Sequence, residues 1–165
     1  YFVRLRQAPE VREVRFAGLE EARPTAEIVA ALGIADVVVV APSNPIVSVG
    51  PILAVPRMTE LLGAARRRGA RFVAVSGIVG GKALKGPADR MLTSLGFESS
   101  ALGVARQYAG LIDIFVLDEH DAALAPAIDA LGVRAVAADT IMSDDASRAR
   151  VARSVLDAVE RRRGR

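Results

Sequence analysis

Hydrophobic positions along this chain follow two rhythms. Short apolar runs rich in β-branched residues, Val37–Val40, Phe72–Val75, Ile112–Leu117 and Val133–Ala137, read as strands. Between them apolar residues recur every three or four positions. That spacing predicts helices over Thr25–Leu32, Met58–Arg68, Pro87–Leu95, Ala122–Leu131 and Ala146–Arg162, with a short helical turn at Ile52–Val55. A further helix, capped by Ser99 or Ser100, runs to about Tyr108, and Asp144 or Ser143 caps the last one. Ahead of these, Tyr1–Arg6 and Val11–Phe16 alternate apolar with polar residues, which predicts two more strands, the second with one solvated face or at an edge. Strands alternating with helices argue for an α/β fold, a three-layer α/β/α arrangement with a mostly parallel sheet, in a single domain over residues 1–165.

The run Val37–Val40 reads as a strand buried on both faces, and the loop beyond it is rich in turn-forming and polar residues. Pro42 and Pro45 stop the ladder, and Ser43, Asn44 and Ser48 supply small polar groups. Gly50 permits a sharp turn and Pro51 suits the first residue of a helix. In open α/β sheets ligands bind beyond the carboxyl ends of strands, against helix N-termini, so this loop fits a phosphate. The plainer reading is a rigid turn in which Ser43 or Ser48 caps a helix.

A second loop comes after the strand at Phe72–Val75. It carries Gly77, Gly80, Gly81 and Gly86, together with Lys82 and Lys85. Of 22 basic residues these two are the only lysines. Concentrating them in one glycine loop invites a phosphate reading, and a soluble surface loop is the alternative. No Ser or Thr stands where a P-loop requires one. Asp89 and Arg90, just beyond, are expected to hold the loop by capping or pairing. The run Asp118-Glu119-His120-Asp121 reads as a solvated loop, with cation binding as the alternative.

Composition narrows the field. The chain is 52% hydrophobic but 4% aromatic, so aliphatic side chains must fill the core. Charged residues interrupt every apolar run before it reaches membrane-spanning length, so no membrane partner is expected. The absence of cysteine excludes disulfides and thiolate metal sites and fits a cytoplasmic location. One histidine excludes a histidine-based metal cluster. The net charge of +3 is spread thinly, and Arg66–Arg68 and Arg161–Arg163 read as solvated helix ends, so nucleic acid is not an expected partner. The chain begins in the middle of a predicted strand, which is expected of a piece of a longer protein.

Three segments, APSNPIVSVGPILAVP, GIVGGKALKGPADRML and ADTIMSDD, closely resemble the carboxyl half of the 2-phospho-L-lactate transferase family (CofD type). The resemblance runs over nearly the whole chain. It implies a Rossmann-like fold and a reaction that moves a phospholactyl or phosphoenolpyruvyl group from a guanosine-diphosphate-linked donor to a deazaflavin alcohol. GMP is released, with magnesium as cofactor, in biosynthesis of coenzyme F-420. It also implies a homodimer. On this reading Pro42, Ser43, Asn44, Pro45, Ser48 and Gly50 grip phosphate or acceptor from one side. Gly80, Gly81, Lys82, Lys85 and Gly86 supply cations from the other, with Asp89 and Arg90 supporting them. The family's glycine-rich first loop and its acidic residues belong to the amino half, so no catalytic residue or metal ligand is assigned here. A related group, the gluconeogenesis-factor type, uses a similar serine-rich loop to hold a nucleotide sugar without catalysis, and is the alternative.

Overall fold

A computed structural model describes residues 1–160. Helix α1 (Ala26–Ile34) leads into β1 (Val37–Val40); a π-helical turn at Pro45–Val49 runs directly into α2 (Gly50–Ala54) and then α3 (Met58–Arg67). Strand β2 (Arg71–Val75) is followed by a small hairpin, β3 (Ile78–Val79) and β4 (Lys82–Ala83), and by α4 (Ala88–Ser94) and α5 (Ala101–Gln107). Strand β5 (Ile114–Asp118), a 3-10 turn at Glu119–Leu124, α6 (Ala125–Asp129), β6 (Arg134–Ala138) and α7 (Asp145–Glu160) complete the order. The predicted run Arg161–Arg163, which includes the last two residues of the predicted final helix, lies outside the described residues.

Strands β1, β2, β5 and β6 form one parallel sheet in that order. Because side chains alternate across a strand, β2 and β5 feed two separate cores. Phe72, Ala74, Phe115 and Leu117 face one layer, where Ala65 of α3, Leu92 of α4, Val104 of α5 and Ile128 of α6 pack. Val73, Val75, Ile114 and Val116 face the other, closed by α7 through Val151, Val155, Ala158 and Val159 at helical spacing. The expected Rossmann-like α/β fold is thus the observed one. Among the described residues no single helix is long and apolar enough to cross a membrane.

Three expectations need correction. Tyr1–Arg6 and Val11–Phe16 form no strand. The second packs instead against α4 and the start of α2: Val11 N–H donates to Ser94 Oγ at 3.3 Å, and the Phe16 ring lies over Gly50, where a Cβ would meet it at 3.2 Å, whereas Phe2, Val3 and Leu5 of the first are exposed. Second, β1 is not buried on both faces. It is an edge strand, and Val39 is 47% exposed. Third, Arg66 is not merely a solvated helix end. Its guanidinium bonds the Asp113 carboxylate at 2.6 Å and the Leu111 carbonyl, and stacks over the Phe72 ring at 4.7 Å. Asp113 also accepts the Phe72 N–H at 2.9 Å, so one ion pair ties α3, β2 and the approach to β5 together.

Candidate functional site

The loops after β1 and β2 both leave the carboxyl edge of the sheet, as parallel neighbours must. They touch directly. A Cβ placed on Gly77 would lie 3.3 Å from the Ser43 carbonyl oxygen and 3.4 Å from its nitrogen, so glycine permits the two backbones to lie against each other.

Asn44 organises the first loop. Its Oδ1 accepts from Ile46 N–H at 2.9 Å and Val47 N–H at 3.2 Å, while its backbone carbonyl accepts from Ser48 and Val49. Its Nδ2 contacts Met91 Sδ of α4 at 3.3 Å. The asparagine, rather than Ser43 or Ser48, therefore caps the helical start, and its amide is occupied within the protein. Pro45 is buried and Pro42 half-buried, which fixes the loop's path. Ser43 and half-exposed neighbours Val38, Val40 and Leu53 line a mostly apolar cavity of about 320 Å³ together with Ser48.

The second loop is less open than its glycines imply. Gly80 (φ +56°) and Gly81 (φ +78°) form the two-residue connection of the β3–β4 hairpin, a turn that needs positive φ at both positions. The Gly80 N–H donates to both carboxylate oxygens of Asp121, at 3.2 and 3.0 Å. Lys82 comes directly after the turn and Lys85 lies beyond it; both are exposed, and among the described residues neither is in an ion pair. Gly81 and Lys82 line a cavity of about 640 Å³ with Asp89, Arg90, Ser99 and the segment Gln7–Glu10. Gly86, at φ +73°, ends the loop before α4. Arg90 reaches Gln7 Oε1 at 3.3 Å, and the Asp89 carbonyl accepts the Thr93 hydroxyl. The two loops are thus adjacent at Gly77, while Ser43 and Ser48 on one side and Lys82 on the other open into different cavities.

The acidic run after β5 departs furthest from expectation. Asp118 is 1% exposed, not solvated. Its Oδ1 accepts from His120 N–H at 3.0 Å and faces His120 Nδ1 at 2.5 Å, and its Oδ2 accepts from the Thr140 N–H and hydroxyl at 2.9 and 2.8 Å. Burial pushes its carboxyl up, but these donors outweigh that and hold it at about 2. The same bond raises the pKa of His120. Asp121 is also buried, at 8% exposure. Sequence reasoning missed both as structural acceptors. The available signal was their position, immediately beyond a buried strand where unpaired N–H groups gather.

Among the described residues no three His, Asp or Glu side chains converge on a point that could hold a metal. Asp118 and Asp121 spend their lone pairs on protein donors. These residues therefore do not fit a magnesium cage by themselves.

The family model described as 2-phospho-L-lactate transferase CofD matches residues 1–156. The chain is 40% identical over 161 residues to a phosphoenolpyruvate transferase of Streptomyces griseus, covering 97% of this chain and 50% of that protein. It is 42% identical over 135 residues to a 2-phospho-L-lactate transferase of Methanosarcina barkeri (82% of this chain, 42% of that one). It is 42% identical over 154 residues to a phosphoenolpyruvate transferase of Mycobacterium avium (90% and 43%). The chain spans about half the length of the curated relatives it matches. With a match reaching from Tyr1 to Leu156, the chain belongs to the 2-phospho-L-lactate transferase CofD family.

Proposed function

We propose that these residues form one half of a phospho-acyl transferase. The donor is guanosine-diphosphate-linked phospholactate or phosphoenolpyruvate, the acceptor is the alcohol of a deazaflavin, and GMP leaves. The observation that carries this reading is the backbone contact of Gly77 on Ser43, which sets a serine loop beside the glycine loop that bears both lysines, at the carboxyl edge of a parallel sheet. The relatives' names supply the class of reaction.

Transfer of this kind depends on alignment and on neutralising developing charge more than on a covalent nucleophile. The acceptor oxygen attacks the donor phosphorus, and the bond to the GMP oxygen breaks. In that step Lys82 and Lys85 offset negative charge on the phosphates, and their freedom from ion pairs among the described residues leaves them available to do so. Asn44 acts indirectly, by holding Ile46 and Val47 so that Ser43 and Ser48 keep their places. The described residues by themselves offer no cage for a metal.

The test is GMP release from each guanosine-diphosphate-linked donor in the presence of deazaflavin alcohol. The protein to assay is this chain extended by the half of its relatives' length that it does not cover. Release with one donor and not the other assigns the acyl group. Binding of a nucleotide sugar without GMP release would overturn the transferase reading.

A further inference from the structure

The turn of the β3–β4 hairpin stands exposed and is built from two glycines, yet the fold holds it from both sides. Asp121, buried at the start of the turn after β5, receives the Gly80 N–H on both carboxylate oxygens. Ser99, just ahead of α5, donates its hydroxyl to the Gly81 carbonyl at 2.9 Å. The two bonds straddle the peptide between the glycines and come from elements far apart in sequence. A solvated two-glycine connection needs neither, because water satisfies both groups and the hairpin closes without help. Placing a carboxylate where it is nine-tenths buried costs stability unless it is well bonded. The residue directly after the turn is Lys82.

We propose that Asp121 and Ser99 are positioning residues: together they fix the orientation of the Gly80–Gly81 peptide, and so the point from which Lys82 addresses the phosphates of the nucleotide-linked donor. The inference rests on the reading of this hairpin as part of the donor site. It also gives the glycines a definite role. Gly80 does not offer its N–H to a ligand, since Asp121 takes it; the glycines supply the positive φ that aims the lysine. Charge fits the same scheme. A carboxylate turned onto a backbone N–H stabilises the turn without pairing with Lys82.

GDP is the probe, titrated calorimetrically into the full-length protein and its variants, with thermal unfolding followed in parallel. Lys82→Ala is expected to weaken GDP binding about tenfold, as loss of one charged contact does. Asp121→Ala should weaken it by a similar factor, and Asp121→Asn, which keeps an acceptor for Gly80, should restore most of the loss. In the Lys82→Ala background Asp121→Ala should then have little left to remove. A role confined to folding would lower the unfolding temperature and leave GDP affinity unchanged, or add its loss to that of Lys82→Ala; either result overturns the proposal. If Lys82→Ala itself leaves GDP binding intact, the hairpin is not part of the donor site, and both the reading and the proposal fall. Should Asp121→Ala not fold, Ser99→Ala frees the other end of the peptide and carries the same expectations.

Discussion

The centre of the sheet and its β1 edge are finished differently. At β2 and β5 every strand residue from Phe72 to Val75 and from Ile114 to Asp118 is buried, both faces are covered, and even the carboxylate that ends β5 has all its bonds. At β1 the valines are half-buried, Val39 is 47% exposed, and α1 has no buried residue, with Ile34 86% exposed. Parallel strands are rarely left in this condition, since their faces are normally covered by helices. The contrast teaches that the core around β2 and β5 is self-sufficient. The β1–α1 side has the composition of an interior without its coverage. A chain spanning half the length of its relatives has a ready place for more polypeptide there.

The largest effect should separate these regions most plainly. Phe115 is fully buried, and Phe115→Ala should cost about 3–5 kcal/mol in chemical denaturation of this chain. Val39→Ser, on an equally apolar strand, should cost less than about 0.5 kcal/mol. Joined to the complementary half of the Streptomyces griseus relative, the same Val39 change should cost about 1–2 kcal/mol, as a newly buried valine does. If Val39→Ser costs the same in both contexts, β1 is not the edge that becomes covered.

The next effect probes the closed centre by pH. Asp118 sits at about 2 in the folded protein against an ordinary 3.8. A lowered folded pKa means its contribution is fully present above pH 4 and is lost as pH falls through 2. The span corresponds to about 2 kcal/mol. Denaturant midpoints at pH 7 and pH 3 should therefore fall further apart in the native protein than in Asp118→Asn. Parallel loss in both would show that the four donors do not set this carboxyl. His120 runs the opposite way, its raised pKa adding stability at low pH that fades as pH rises through that pKa.

Legibility in the sequence tracks which forces are local. The four strands of the sheet, the helix caps at Ser100 and Asp144, and the α/β order are all legible, because periodicity and capping depend on near neighbours. That Val37–Val40 is an edge was not legible. A valine run reports that a strand is apolar, and only tertiary neighbours decide whether it is covered. The alternation in Val11–Phe16 misled for the same reason: it marks a segment with one apolar side, and here that side lies on α4 and the start of α2 with no strand beside it. At the site, the serine and lysine loops and their shared sheet edge were legible from strand ends alone, but a single cleft lined by both was not found: Ser43 and Ser48 open into one cavity and Lys82 into another. The work of Asn44, Asp118 and Asp121 was not, because a polar residue's partner comes from elsewhere in the chain.

A smaller effect sharpens the comparison within the candidate site. Asn44 follows the open strand β1, yet its side chain is fully used: it caps the π-helical turn and touches Met91. Asn44→Ala should therefore cost about 1 kcal/mol of stability, independent of salt, by exposing the Ile46 and Val47 N–H groups. Restoration of that loss by Asn44→Asp, another capping residue, would confirm the role, and an unchanged denaturation midpoint in Asn44→Ala would refute it.

The smallest effect is expected at Lys85, which follows the closed strand β2 but is itself exposed. It lies between the β3–β4 hairpin and Gly86, and forms no ion pair among the described residues. Lys85→Ala should leave stability within about 0.5 kcal/mol of the native value, because no packed or bonded group is removed. Its effect should show instead as weaker binding of GDP by the extended protein, by about two- to fivefold at low ionic strength, the range of a single exposed charge. Raising the salt shortens the Debye length from about 30 Å at 0.01 M to about 3 Å at 1 M, so the loss should shrink toward none across that range. A loss of undiminished size at high salt would mean that Lys85 makes a short, desolvated contact with the phosphates. No loss at either salt would remove Lys85 from the site and leave Lys82 as the cation that the hairpin presents.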